Sequence, residues 1–397
     1  MIKWLSKIDK NELKGKKIFL RVDYNVPVED GVVKDDTRIR ATFPTLNYLK
    51  NAGAKVVIFS HLGRPKGKRV KEYSLKPVKE KLEVLWNQKI SFIEDLEKLP
   101  EVLNNLKEGE FALFENIRFY PEERGGDEEF AKRIASYFEV YVNDAFATAH
   151  RKHVSTYLVA KYLRQRYGGF LLEKEVETLN ILRENPPKPF YCVLGGAKVS
   201  DKIGVIKNLV DKVDKFIIGG GMSYTFLKAM GVNIGSSLFD EKHFEEIAGL
   251  LNEYGHKFVL PLDSCVVKEI KEGVEKRNVE NIEEGWIGVD IGEKTIARFR
   301  EELLKLKSTR GSVFWNGPMG VFEIEDFSRG TKELVSVIAD ITKSGVFSVV
   351  GGGDTIRAIK SAGFNLKDFS FVSTGGGATL EYLSGKNLPT LEVLDVS

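Results

Sequence analysis

The 397-residue chain is 42% hydrophobic and 29% charged, a soluble globular composition too long for one ordinary core, so two domains or one large one are expected. A formal charge of +3 is too small to argue for nucleic acid by itself. No apolar run approaches a membrane span, and "MIKWLSKIDKNELKGKK" lacks the apolar core of a signal peptide, which points to a cytoplasmic location.

Cys192 and Cys265 are the only cysteines, both in apolar, strand-like runs, and they read as small core residues of a reducing compartment. Abundant Lys, Arg and Glu with glutamine only at Gln88 and Gln165 lean toward a thermophile's composition.

In chain order, the first half alternates β-rich runs ("KIFLRVD", "AKVVIFS", "KISFIE", "FALFEN", "EVYVND") with helical patterns ("DDTRIRATFPTLNYLKNAG", "SLKPVKEKLEVLWN", "DEEFAKRIASYF"). Such alternation argues for a mostly parallel sheet covered on both faces. "GFLLEKEVETLNILREN" predicts a helix over 169–185, about 25 Å long, stopped by "PPKP" at 186–189. A domain boundary is placed there. The alternation restarts with "FYCVLGG", "KFIIGGG", "KFVLPLD", "SVFWNG", "FSVVGGG" and "FSFVSTGGG". The halves share this architecture without a residue-level repeat.

Open α/β sheets bind ligands beyond the carboxyl ends of their strands. There the first half places Arg21, Asp23 and Asn25, then His61 and Arg64, Asn116 and Arg118, and His150, Arg151 and His153; Arg38 opens the first helix. One such arginine is ordinarily a solvated charge. Five at equivalent positions argue for an anion, because the guanidinium fork suits phosphate or carboxylate. No interleaved aromatics offer stacking for bases, so a small polyanion is the better reading. His150 and His153 at i, i+3 lack a third metal ligand and flank Arg151, which favours hydrogen bonding to an anionic substrate over a metal site.

In the second half, "VLGGAKVSDKIG" reads as strand, double glycine and a helix bearing Lys198 and Lys202 on one face, set to cradle phosphate. A solvated Lys-x-x-x-Lys face is the plain alternative. Neither a Walker A nor a G-x-G-x-x-G pattern is present. "VVGGGDTIRA" repeats the arrangement; Asp354 is either a helix N-cap or a Mg²⁺ carboxylate. Glu323 suits ribose hydroxyls or is a surface acid.

Together "RVDYNVP", "DDTRIRA", "SHLGRPKG", "ENIRF", "NDAFATAHRKH", "GGAKVSDKIGVI", "WNGPMGVFE", "GGGDT" and "STGGGATLEYLSGK" stand in order, and over almost the whole chain the sequence resembles the phosphoglycerate kinase family. The resemblance implies an α/β fold of two Rossmann-like domains with mostly parallel sheets: 1–168 for the triose substrate, a linking helix over 169–185, 186–377 for the nucleotide, and 378–397 returning to the N-terminal domain. It implies a phosphotransferase with a carboxyl acceptor, moving a phosphoryl group reversibly between 1,3-bisphosphoglycerate and ADP, in line and with hinge closure. The implied partners are these small molecules, with Mg²⁺ as Mg-ADP or Mg-ATP, no nucleic acid and no membrane, and the chain acting as a monomer.

Carried over by motif, Arg21, Val22, Asp23, Asn25, Arg38, His61, Leu62, Gly63, Arg64, Arg118, His150 and Arg151 would contact the triose ligand. Gly196, Lys198, Lys202, Gly219, Gly220, Gly292, Asn316, Glu323, Gly352, Gly353, Asp354 and Thr355 would serve the nucleotide, with Asp354 on the metal. Arg38, Lys198 and Lys202 would act on the transferring group, and no general base is needed because the acceptor carboxylate is already ionised. Glu293 and Lys152 depart from the family's usual proline and alanine, and Ser223 and Tyr224 lie in a variable segment. Rival readings are a nicotinamide dehydrogenase, which lacks its fingerprint, a nucleic-acid- or anion-binding scaffold, which leaves "GGGDT" without a role, and a kinase for another acid.

Overall fold

The computed structural model describes residues 1–396. Most of its strands fall where the β-branched and aromatic runs predict them. The strands of the first half are β1 (Lys17–Val22), the short, unpredicted hairpin β2 (Val28–Glu29) and β3 (Val32–Val33), β4 (Lys55–Phe59), β5 (Ile90–Ile93), β6 (Phe111–Phe114), β7 (Val140–Asp144) and β8 (Gln165–Gly168). Six of them form a parallel sheet in the order β5-β6-β4-β1-β7-β8.

Both faces of this sheet are buried, as continuous apolar strands require. From β1, Ile18 and Leu20 enter a core shared with Leu46, Leu49, Val78 and Leu82 of the covering helices. Phe19 faces the other way, stacking on Phe59 at 4.0 Å and Tyr141 at 5.4 Å, while Phe59 stacks on Phe114 at 4.9 Å. Side chains two apart share a face. Arg21, His61 and Asn143 therefore follow Phe19, Phe59 and Tyr141 on the aromatic side, where the strands end.

The second half adds β9 (Phe190–Leu194), β10 (Lys215–Ile218), β11 (Phe258–Val259), β12 (Ser264–Val267), β13 (Arg277–Val279), β14 (Ile287–Ile291), β15 (Ser312–Asn316), β16 (Phe347–Gly351) and β17 (Phe371–Ser373). A second six-stranded parallel sheet runs β11-β10-β9-β15-β16-β17, and β13-β12-β14 form a separate antiparallel sheet. The fold is thus α/β with two parallel sheets.

The chain forms two compact units: Met1–Glu177 with the chain from Asn387 onward, and Thr178–Lys386. The helix Phe170–Glu184 runs from one into the other. In the first unit the helix Pro389–Leu394 buries Val393 and Leu394, and Thr390 N–H donates to Ala149 O at 3.1 Å.

Two local expectations change. The helix expected over 35–53 is two, Thr37–Ala41 and Phe43–Asn51, broken at Thr42 because Pro44 cannot donate to the preceding turn. Cys192 is buried, but Cys265 is only partly so, lying on β12 outside the main sheet. The strand β8 and the antiparallel sheet carry too little apolar alternation to be read in advance.

Candidate active site

In the first unit the ends of β1 and β4 are stitched together by side chains. Tyr24 N–H donates to Ser60 Oγ at 2.8 Å, and Gly63 N–H donates to Asn25 Oδ1 at 2.9 Å. Asp23 accepts from Asn25 N–H at 2.9 Å and from Arg38 Nη1 at 3.0 Å; the same Nη1 donates to Asn25 O at 3.1 Å. Arg118 Nη1 donates to Gly63 O at 2.9 Å, and the Asn116 amide donates to Leu62 O at 2.7 Å and Tyr73 O at 2.9 Å. Val22 and Leu62 are buried and offer only backbone here, Val22 O accepting from Arg21 Nη1. Arg64 and Arg151 are exposed, while His150 is half-buried.

The charge balance of this crevice is unusual. Arg21 is wholly buried and His61 only 3% exposed. Arg21 Nη2 lies 3.1 Å from His61 Nδ1. A guanidinium only donates, so Nδ1 accepts and the imidazole proton sits on Nε2. Burial, and then Arg21, Arg118 and Arg38, hold His61 well below the usual histidine range. His153 is pushed down to about 3 by burial and by Arg118, Arg21 and Arg151. Burial and Arg21 also bring Arg118 down to about 10, and its Nε is buried without a hydrogen-bond partner. Such a cluster gains most from an incoming anion.

In the second unit a cavity of about 750 Å³ opens where β9, β15 and β16 end. It is lined by Gly196, Lys198, Lys202, Asn316, Gly352, Gly353, Asp354 and Thr355 of the sequence-derived set. The two lysines do not share a helix: Lys202 and Ile203 N–H both donate to Val199 O at 2.9 Å, and the helix begins at Ile203. The turn leaves Lys198 exposed and buries Lys202, whose ammonium lies over Gly196; burial lowers its pKa against the pull of Asp201 and Asp354.

Gly352, with φ +102°, is the N-cap of the helix Gly353–Ser361, and a Cβ there would stand 2.7 Å from Asn316 Nδ2. Asp354 is therefore not the cap. Its carboxylate pairs with Arg357 at 2.6 Å. Thr355 is buried and its hydroxyl accepts from Gly317 N–H at 2.8 Å, holding the β15 turn.

Gly219, Gly220, Gly292 and Glu323 do not line the cavity. Gly220, with φ +66°, lets its turn press on the Gly196 backbone, where a Cβ would meet Gly196 N at 2.5 Å. Gly292 caps the helix Glu293–Leu304, and Glu323 is exposed, 3.8 Å from Arg357. The departures are accommodated: Glu293 sits in that helix's first turn and pairs with Arg329, while Lys152 lies 5.6 Å over the Tyr157 ring. Ser223 donates to Gly220 O at 2.7 Å, and Tyr224 is buried.

Glu381, Ser384 and Lys386 also line the cavity, although no site role was assigned to them from the sequence. They belong to "STGGGATLEYLSGK", whose glycines were the only signal.

The sequence model described as phosphoglycerate kinase matches residues 8–386. The chain belongs to the phosphoglycerate kinase family. It is 50% identical over 390 residues to the phosphoglycerate kinase of Dictyoglomus turgidum, covering 96% of each chain. To that of Thermosipho africanus it is 49% identical, covering 95% of this chain and 94% of the relative. A solved structure from Coxiella burnetii superposes with a TM-score of 0.85 at 38% identity, covering 99% of both chains. One from Pyrococcus horikoshii gives 0.84 at 33%, covering 99% and 98%. Its activity is the glycolytic phosphoglycerate kinase reaction, and the family uses a Mg-nucleotide. Among the described residues no helix is long and apolar enough to cross a membrane.

Proposed function

We propose that the first-unit crevice holds 3-phosphoglycerate or 1,3-bisphosphoglycerate and that the second-unit cavity holds the nucleotide phosphates. The observation that carries this is the burial of neutral His61 among Arg21, Arg38 and Arg118, a concentration of charge suited to a small polyanion. Arg118 Nε and His61 Nε2 are the donors assigned to the triose ligand, and exposed Arg64 and Arg151 complete its neutralisation. Val22, Asp23, Asn25, Leu62 and Gly63 shape the crevice through the bonds described above.

Lys198 and Lys202 are assigned to the transferring phosphoryl group from the nucleotide side, and Arg38 from the acid side. The acceptor carboxylate is ionised at neutral pH, so positioning and charge neutralisation do the work. Asp354 fits a Mg²⁺ site: its carboxylate is exposed at the cavity edge with one ion pair to release, and Mg²⁺ favours one or two carboxylates plus phosphates. The ion, when bound, neutralises and orients the phosphate oxygens.

In this reading residues 1–168 serve the triose, and 186–377 together with the cavity-lining Glu381, Ser384 and Lys386 serve the nucleotide. Direct in-line transfer then requires closure with both ligands bound, with the Gly375–Gly377 segment as a hinge candidate; small-angle scattering that shows no compaction in the ternary complex would refute it. Each chain carries both sites, so a monomer suffices. The test is a coupled assay with ATP, Mg²⁺ and 3-phosphoglycerate, beside calorimetric titration of each ligand. Turnover lost in Arg38→Ala supports the assignment; turnover with 3-phosphoglycerate binding unaffected by Arg118→Ala or His61→Ala overturns the crevice.

A further inference from the structure

Behind the basic crevice lies a fully buried carboxylate to which no role has been given. Glu123, in the short helix Pro121–Gly125, accepts Ser155 Oγ–H at 2.5 Å on one oxygen and Ser155 N–H at 2.9 Å on the other. Ser155 lies in the π-helical stretch Val154–Leu158, and its carbonyl accepts from Tyr141 O–H at 2.9 Å. Arg21 Nε in turn stands 2.8 Å from Ser155 Oγ.

The direction of each bond follows from the donor count. A serine hydroxyl has one hydrogen and a guanidinium only donates, so at Ser155 Oγ that hydrogen is left for Glu123, whose pKa burial raises against the pull of Arg21 and the Ser155 donors. Ser155 therefore gives its hydrogen to Glu123 and presents a lone pair to Arg21 Nε–H. With Nε on Ser155, Nη1 on Val22 O and Nη2 facing His61 Nδ1, the guanidinium plane is fixed from three sides. That plane determines which nitrogen of His61 accepts, and so which one offers a proton to the ligand. Glu123 is also the first of the carboxylates acting on Arg21, ahead of Asp23.

We propose that Glu123 is a positioning residue for acid-substrate binding, acting through Ser155 to orient Arg21 and to hold His61 in the Nε2–H tautomer. The inference rests on the crevice being the triose site. Glu123 itself touches no ligand.

Glu123→Gln keeps the size and removes the negative charge and one acceptor oxygen. Ser155 offers two donors to the carboxylate, and an amide can accept only one of them through its oxygen. The amide nitrogen then faces either Ser155 N–H or the hydroxyl; in the second case the hydroxyl hydrogen turns on Arg21.

The expected result is a rise of about tenfold or more in KM and Kd for 3-phosphoglycerate, with KM for ATP unchanged. The ¹⁵N shifts of His61 should lose the Nε2–H pattern of the wild type. Ser155→Ala removes the relay while Glu123 stays, and should shift both readouts the same way; it keeps the question open to test if the Gln variant does not fold. A folded variant with unchanged acid KM and unchanged His61 tautomer overturns the proposal. Wild-type protein that turns over ATP without 3-phosphoglycerate binding at the crevice would instead overturn the site assignment, and the imidazole spectrum would still report whether the relay exists.

Discussion

Lys202→Met separates stability from catalysis at one position. Lys202 is 7% exposed, and no ion pair to it is found among the described residues, so folding strips water from an ammonium that gains little in return. Methionine keeps an unbranched stem of similar length without the charge. Replacing even a paired buried charge by apolar groups of similar volume is often neutral or stabilising by about 1–4 kcal/mol; for this unpaired ammonium at the rim of an open cavity the lower end is taken, about 1 kcal/mol. For a unit of this size that raises Tm by about 2–4 °C.

The pH dependence has a definite sign. Because burial lowers the Lys202 pKa from 10.5, the unfolded chain holds that proton more tightly than the fold. The ligand-free protein therefore gains stability as pH rises from the folded-state pKa toward 10.5, and Lys202→Met loses this component. Catalysis moves the other way: removing one cation aimed at the transferring group costs about 3–4 kcal/mol, a fall of about 10²–10³ in kcat. Calorimetric scans of ligand-free protein and the coupled assay measure the two effects. A lower Tm with kcat within a few-fold of wild type would refute the reasoning, making Lys202 a structural residue.

Gly352→Ala should lower stability by about 2–3 kcal/mol, combining positive φ with displacement of the 2.8 Å Asn316–Gly351 bond; urea melts and nucleotide titration should fall together. Arg38→Ala should lose several kcal/mol of transition-state stabilisation and about 1–3 kcal/mol of stability, since it leaves the buried Asp23 carboxylate with the Asn25 N–H as its remaining donor; near-normal kcat in the folded variant excludes the role. Asp354→Asn should weaken Mg²⁺-dependent nucleotide binding while leaving metal-free binding nearly unchanged, read by calorimetry with and without Mg²⁺. His153 is held at about 3 against an ordinary 6.5, so its contribution to stability is present above 6.5 and lost as pH falls toward 3; 3-phosphoglycerate should oppose that loss in acid melts.

Much of the architecture was legible because burial writes itself into local pattern. A strand sealed on both faces must be continuously apolar, which is why "AKVVIFS" and "FYCVLGG" announce β4 and β9. The carboxyl-end rule then turned strand boundaries into candidate positions for His61, Arg64 and Asp354 without any coordinates. The spacing of Lys198 and Lys202 misled because a helical period was assumed across a turn that precedes the helix. Nothing local distinguishes the two lysines, yet one is solvated and the other desolvated.

Local chemistry thus determined the elements, their alternation and the residue types offered at the strand mouths. Tertiary structure alone decided which charges lost their water and which faced one another. Glu123 reads in sequence as one more acid in "PEERGG"; it is buried where one residue 32 positions later in the chain, Ser155, supplies both its donors, and Arg21 reaches the same serine across 134 positions. Desolvation and the direction of a hydrogen bond depend on every group packed around a site, and chain distance carries no record of them.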